Sequence, residues 1–233
     1  MRSLATGNSA FSTFVQMAPR LVSVLRRMRP TWHLAALAEV DAAFLAKQGI
    51  RGIIWDVDGT LTGDRRRSLD DGNAAAFRAL LAMPGLAHVV LSNAGEERYA
   101  ELSGMFPGMP ILRAYTEGNG VLYRRRQGAD DSWTAAELEK HLADGARVIR
   151  KPSRVLVDYA IRELGIPQGA AVMIGDQYLT DVAGANLGGV RSIKLPTLAR
   201  ETFRTSVRFT QRLELVLYAL LYGAAKTRGR GRE

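Results

Sequence analysis

Asp56 and Asp58 stand one residue apart, directly after the apolar run Ile53-Ile54-Trp55. Carboxylates at i and i+2 leave the end of a strand on the same side, where they can share a hard cation. Gly59 lets the chain turn sharply behind them, and Thr60 offers a hydroxyl. Buried acids of like charge repel unless a metal or a proton resolves the conflict, so this placement is suited to chemistry. A solvated loop or a helix cap is the plainer account of the stretch by itself.

Three further pieces follow in order. His88-Val89-Val90-Leu91 reads as a buried strand ending in Ser92-Asn93. Lys151-Pro152 comes much later, and Ala171-Val172-Met173-Ile174 then runs into Gly175-Asp176, with Thr180-Asp181 close behind. Each has a structural alternative. Ser92-Asn93 would cap a helix opening near Glu96, Lys151 would be a surface lysine, and Thr180-Asp181 would cap the helix running to Gly188-Gly189. Their joint placement argues otherwise, because most sit where an apolar strand ends, and that edge of an open α/β sheet is where ligands bind.

The ordered set, from about Ile50 to Leu195, resembles the haloacid dehalogenase (HAD) superfamily. The resemblance implies a Mg²⁺-dependent hydrolysis of phosphate monoesters. Asp56 matches the nucleophile that forms an aspartyl-phosphate, and Asp58 matches the acid/base, which also offers its backbone carbonyl to the metal. Asp176 completes the metal ligands with Asp56. Ser92, Asn93 and Lys151 would bind the phosphate, with Thr60 and Asp181 in support. Within the superfamily, Gln48-Gly49-Ile50-Arg51-Gly52, Arg150-Lys151-Pro152 and Gly175-Asp176-Gln177 look like the phosphatidylglycerophosphate phosphatases. That implies an anionic lipid substrate and a place on the inner face of the membrane, in the cytoplasm.

The elements that must position these residues alternate strand and helix. Strands are expected at Gly52 to Asp56, His88 to Ser92, Ile111 to Tyr115, Ala171 to Gly175 and Val190 to Leu195. Helices are expected at Leu37 to Lys47, Asp70 to Met83, Glu96 to Met105 and Ser153 to Leu164. This pattern predicts an α/β fold with a doubly wound parallel sheet. Between Leu61 and Ala87 there is room for a loop and one helix only. The stretch before Lys151 holds more: a hairpin turn at Gly118-Asn119-Gly120 and a capping box at Thr134 to Glu137. It reads as a small insert, about 116–149, with no large cap. The division expected is an N-terminal arm (1–49), a core (50–198) and a C-terminal segment (199–233).

Composition narrows the setting. With 47% hydrophobic residues over 233 positions, the chain has material for a substantial core. It has no cysteine, which excludes disulfides and thiolate metal sites. His33, His88 and His141 lack metal-ligand spacing and read as structural or surface residues.

The 32 basic against 23 acidic residues give a net charge of +9, which favours an anionic partner. The excess gathers at Arg20, Arg26, Arg27 and Arg29, at Arg65-Arg66-Arg67, at Arg124-Arg125-Arg126 and in the tail from Lys226 to Arg232. Arg65, Arg66 and Arg67 follow the first motif and are candidates for contact with a substrate head group or a membrane.

Both ends bear on the partner. Residues 1–13 read as disordered, with a basic amphipathic helix from about Phe14 to Met28. The arginines interrupting it exclude a signal peptide. Arg200, Arg204, Arg208 and Arg212 recur every fourth residue and would form one stripe on a helix. Leu213 to Tyr222 follows, apolar except for Glu214 and too short to cross a bilayer, which takes about 20 apolar residues. A helix lying on an anionic membrane and a helix packed on the core or on a second subunit both fit this segment. A small soluble phosphate ester of the sugar phosphate type is the alternative substrate. A phosphatase-like module holding nucleic acid fits less well, since the basic clusters lack interleaved aromatics.

Overall fold

The computed structural model describes residues 21–223. The expected disordered segment 1–13, most of the N-terminal amphipathic helix and the basic tail lie outside them.

The two strands that carry the acidic motifs form the middle of one sheet. β2 (Gly52–Trp55) and β8 (Ala171–Gly175) are buried at every position, as continuous apolar runs require when both sheet faces are covered. Their side chains alternate between two cores. Ile53, Trp55, Val172 and Ile174 enter one, and Ile54, Ala171 and Met173 enter the other.

In chain order the elements are α1 (Leu21–Leu25), β1 (Trp32–His33), α2 (Ala42–Gln48), β2, α3 (Asp71–Leu81), β3 (Ala87–Leu91), α4 (Glu96–Met105) and β4 (Ile111–Glu117). Then come β5 (Gly120–Gln127), β6 (Asp130–Asp131), α5 (Ala135–Ala143), β7 (Arg147–Val148), α6 (Arg154–Leu164), β8, α7 (Ala183–Leu187), β9 (Arg191–Lys194) and α8 (Thr205–Tyr222). The sheet order is β1-β9-β8-β2-β3-β4-β5-β6, with β7 also on β4. From β1 to β4 all neighbours are parallel. β5, β6 and β7 are added antiparallel. This is the doubly wound sheet with a small insert, and the strand order reverses direction between β2 and β8.

Several local expectations meet their physical cause. Asp70 caps α3 by accepting from the Gly72 N–H at 3.0 Å. The α6 helix ends at Gly165, whose φ of 63° a residue with Cβ seldom adopts. The hairpin expected at Gly118 closes with Glu117 opposite Gly120. Thr134 and Glu137 form the reciprocal capping box of α5.

Three expectations are corrected. The helix expected from Leu37 to Lys47 is broken, because the Asp41 side chain accepts from the Phe44 N–H at 2.7 Å and starts α2 afresh. Leu37–Glu39 is a separate 3₁₀ turn. The four-arginine stripe is shortened, since Arg200 lies in another 3₁₀ turn and Arg204 stands at the N-cap of α8. Arg124 is no part of a basic surface. It is buried and paired with Glu96 and Asp131 at 2.5 and 2.6 Å, while Arg125 pairs with Glu163.

The histidines are structural. His33 bonds the Tyr178 hydroxyl at 2.9 Å, and His88 accepts from the Trp55 indole at 3.1 Å. Burial lowers both to a pKa of about 4, so they are neutral at physiological pH.

α8 docks through polar residues. Gln211, Glu214 and Tyr218 are its buried face, and the Glu214 carboxylate accepts from the Leu179 N–H at 2.7 Å. Burial pushes Glu214 from 4.5 up to about 8, against the pull of that N–H and of Lys194, with Asp176 and Asp181 adding repulsion. In acid the group is protonated both folded and unfolded. As pH rises between those two values the unfolded chain ionises first, and stability is lost. Glu214→Gln keeps an acceptor for Leu179 and removes the titration. Its melting temperature should come closest to that of the unsubstituted chain below pH 4 and exceed it near pH 8. A gap of equal size below pH 4 and near pH 8 would assign the effect to packing instead.

Candidate active site

The site lies at the carboxyl ends of β2, β3 and β8, beside the point where strand order reverses, which is where an open α/β sheet leaves a crevice. Asp56 follows β2, Ser92 follows β3 and Asp176 follows β8. The chain must turn immediately after β2. Gly59 does so at a φ of 97°, and a Cβ there would sit 2.7 Å from Asp176 Oδ2. No other residue fits that position with Asp176 in place.

Asp56 is buried and held on both oxygens. Its Oδ2 accepts from the Thr60 hydroxyl at 2.9 Å, and its Oδ1 accepts from Lys151 Nζ at 2.6 Å. Lys151 Nζ also donates to Asp181 Oδ1 at 2.7 Å. Asn93 fixes the lysine's backbone from both sides. It accepts from the Lys151 N–H at 2.7 Å and donates to the Lys151 carbonyl at 3.0 Å. The Ser92 hydroxyl accepts from the Ala94 N–H at 3.2 Å, so it organises the turn into α4, which Gly95 caps. Its proton remains free for a ligand oxygen.

One oxygen from each of Asp56, Asp176 and Asp181 lies within 4.8 Å of the others, and all three residues are buried. Burial and then Asp181 raise the Asp56 carboxyl well above its usual range, and the same two causes lift Asp176 to about 6. Burial would lower Lys151, but Asp181 and Asp56 outweigh it and hold the ammonium above its ordinary value. Lys194, packed 4.8 Å from the Tyr178 ring centre, is itself held down by burial.

Three carboxylates against one firmly charged lysine leave the pocket short of positive charge. Asp176 Oδ2 is also buried with no hydrogen-bond partner. A carboxylate oxygen so placed, in an all-oxygen donor set, fits Mg²⁺.

Asp58 is directed differently. Its Oδ1 accepts from Arg98 at 2.7 Å, from the Arg65 N–H at 3.2 Å and from Thr62 at 3.4 Å. Arg98 is buried and also bonds the Arg66 carbonyl at 2.8 Å and Glu101 at 3.1 Å. Burial would lower this guanidinium, and Asp58 and Glu101 more than offset it. Asp58 is thus a carboxylate with one oxygen anchored and the other uncommitted. Sequence reasoning missed Arg98, which reads there as one charge on an exposed helix. The available signal was its place on α4, one turn beyond the Ser92-Asn93 corner.

Arg65 and Arg67 reach α4 as well, pairing with Glu97 at 3.3 Å and Glu101 at 2.6 Å. Exposed pairs of this kind contribute about 0–1 kcal/mol, so both arginines can exchange partners readily. The structure therefore brings together Asp56, Thr60, Lys151, Asp176 and Asp181, sets Asp58 on its arginine anchor, and leaves the Arg65–Arg67 side chains outside this cluster.

The family model described as HAD-hydrolase-like matches residues 148–197, the stretch that supplies Lys151, Asp176 and Asp181. Over that stretch the chain is similar to this family. It is 31% identical over 117 residues to the phospholysine phosphohistidine inorganic pyrophosphate phosphatases of Bos taurus and Homo sapiens, covering 47% of this chain and 43% of each relative. It is 25% identical over 185 residues to the chloroplastic phosphatidylglycerophosphate phosphatase 1 of Chlamydomonas reinhardtii, covering 78% of this chain and 58% of that one. The chain thus spans less than half the length of these two mammalian relatives. Among solved structures, an uncharacterized protein from Listeria monocytogenes serotype 4b aligns over 66% of this chain and 85% of its own, at a TM-score of 0.41 and 20% identity. A 4-nitrophenylphosphatase from Thermotoga maritima aligns over 64% and 87%, at 0.30 and 15%.

Proposed function

We propose that this chain hydrolyses phosphate monoesters by passing the phosphoryl group first to Asp56 and then to water. The observation that carries the reading is a buried carboxylate at the sheet's switch point, held by Lys151 and set in an acidic cluster with an unpartnered oxygen.

An oxygen of Asp56 attacks phosphorus as the ester P–O bond breaks, and the free oxygen of Asp58 gives the leaving alkoxide its proton. Asp58 then takes a proton from water, whose oxygen attacks phosphorus and releases Asp56 and inorganic phosphate. Lys151 offsets negative charge on the transferring group, and the Ser92 hydroxyl and neighbouring N–H groups bind its oxygens. Asn93 acts by holding Lys151, and Asp181 by orienting its ammonium. Asp56, Asp176 and the Asp58 carbonyl would hold Mg²⁺, which would supply the charge neutralisation that lets an anionic nucleophile meet an anionic ester.

The substrate we favour is phosphatidylglycerophosphate, converted to phosphatidylglycerol at the inner face of the membrane. A relative that covers 78% of this chain at 25% identity bears that name. The insert adds only short strands and helix α5, none of whose residues is buried, so no large cap encloses the site against a bulky lipid. A small soluble phosphate ester is the second reading, favoured by the higher identity to the pyrophosphate phosphatases over a shorter stretch.

Phosphate release from phosphatidylglycerophosphate in mixed micelles, compared with soluble sugar phosphates and p-nitrophenyl phosphate, separates the two. Replacing Arg65, Arg66 and Arg67 by Gln should raise KM for the micellar substrate, each charge being worth about 1 kcal/mol near an anionic surface. It should flatten the salt dependence and leave p-nitrophenyl phosphate turnover nearly unchanged. Equal losses on both substrates would make the cluster structural, and no change on either would favour the soluble ester.

A further inference from the structure

The helix α8 is built inside out. Its buried residues, Gln211, Glu214 and Tyr218, all carry polar groups, while Phe209, Val216 and Leu220 are 68%, 55% and 77% exposed. Phe209, Leu213, Val216 and Leu220 recur at the spacing of one helical face, with Leu215 and Leu221 exposed beside them. Over its 18 residues the helix extends about 27 Å. A folded domain ordinarily turns such a stripe inward, and an outward one marks an interaction surface.

Charge selects the occupant. The only acid in α8 is Glu214, and it is buried. Arg204 and Arg212 are exposed on and before the helix. α1 packs alongside, with Val24 and Met28 in a shared core with Tyr218, and the Tyr222 hydroxyl donates to the Leu25 carbonyl at 2.7 Å. Arg26, Arg27 and Arg29 follow α1 and are exposed. An apolar stripe bordered by arginines and lacking exposed acids suits an anionic lipid surface. A second copy would bring two basic borders together. No helix among the described residues is long and apolar enough to cross a membrane, so α8 would lie in the plane of the interface.

We infer that the outer face of α8 is the surface by which this protein docks on anionic membranes, and that its inner face fixes the catalytic crevice relative to the bilayer. This rests on the lipid-phosphate reading for its purpose, and on α8 alone for its physical basis. The inner face grips the loop after β8, where the π-helical turn Tyr178–Val182 carries Asp181. Glu214 accepts from the Leu179 N–H, and Tyr218 stacks on Tyr178 with ring centres 4.0 Å apart. Whatever seats the helix therefore seats the acidic loop with it.

The test is co-sedimentation of the full chain carrying Asp56→Asn, which removes turnover from the assay. The probes are vesicles of mixed phosphatidylglycerol and phosphatidylcholine and vesicles of phosphatidylcholine alone. Binding to the anionic vesicles should exceed binding to the neutral ones and weaken with salt. Adding Phe209→Ser and Leu220→Ser should cut it about tenfold or more, since both side chains leave the lipid. In the otherwise unsubstituted chain the same pair should leave p-nitrophenyl phosphate turnover and the melting temperature unchanged, because neither residue is buried. Equal vesicle binding with and without the pair would overturn the inference. So would no binding at all, or a dimer that the pair converts to monomer. Vesicle binding with no hydrolysis of phosphatidylglycerophosphate would keep the docking surface and remove the proposed substrate.

Discussion

Asp56→Asn ends turnover by more than about 10³-fold while leaving the chain better folded. The amide keeps the shape of the carboxylate: its oxygen can accept from Lys151 and its NH2 can donate to the Thr60 hydroxyl, where the two carboxylate oxygens now accept at 2.6 and 2.9 Å. What it lacks is an anionic oxygen for phosphorus. Without metal, ionised Asp56 is a cost to the fold, because burial and Asp181 raise its carboxyl above the usual range. That cost is absent in acid and grows as pH rises through the range where the unfolded carboxyl ionises. In excess chelator at neutral pH, Asp56→Asn should therefore melt higher than the unsubstituted chain, and the difference should vanish at low pH. Mg²⁺ should raise the melting temperature of the unsubstituted chain and raise it less in the variant, which has lost a ligand. Beryllofluoride, a mimic of phosphorylated aspartate, should bind the unsubstituted chain only with Mg²⁺. Activity retained in Asp56→Asn, or in excess chelator, would sink the mechanism.

Such a site is legible in sequence because its residues are placed by short-range rules. An apolar run long enough for one strand, followed by Asp56 or by Asp176, puts a carboxylate at the sheet edge whatever the rest of the chain does. The boundaries of α4, α6 and β8 follow from caps and periodicity in the same way. What escaped depends on partners remote in sequence. Arg124 looks like its neighbours Arg125 and Arg126, and its burial comes from Glu96, 28 residues earlier, and from Asp131. The direction of α8 was undecidable because Leu213 to Tyr222 is apolar almost all round, and remote contacts turn it: the Leu179 N–H on Glu214 and Tyr178 stacked on Tyr218. The strand β1 has two residues and exists through pairing with β9, a contact no local pattern announces.

Arg98 is the positioning residue whose loss should be felt most. Asp58 lies outside the carboxylate cluster of Asp56, Asp176 and Asp181, and its direction is set by the 2.7 Å bond to this guanidinium. A general acid must meet the leaving oxygen within hydrogen-bond reach, and such groups contribute about 10²–10⁴-fold. Arg98→Met keeps the length and burial of the side chain and removes its charge-assisted bonds to Asp58, Glu101 and the Arg66 carbonyl. The expected result is a kcat lower by about 10²-fold with KM for a soluble ester little changed. Stability should fall by about 1–3 kcal/mol, less than for a fully buried pair because the Asp58 side chain is 19% exposed. Arg98→Lys should recover part of the stability and little of the rate, since one ammonium cannot reproduce the planar fork that holds Asp58, Arg66 and Glu101 together. A double-substitution cycle separates positioning from folding. With Asp58→Asn already present there is no acid left to position, so adding Arg98→Met should cost stability and almost no further rate. If the two rate losses simply multiply, Arg98 supports the fold, and Asp58 finds its direction without it.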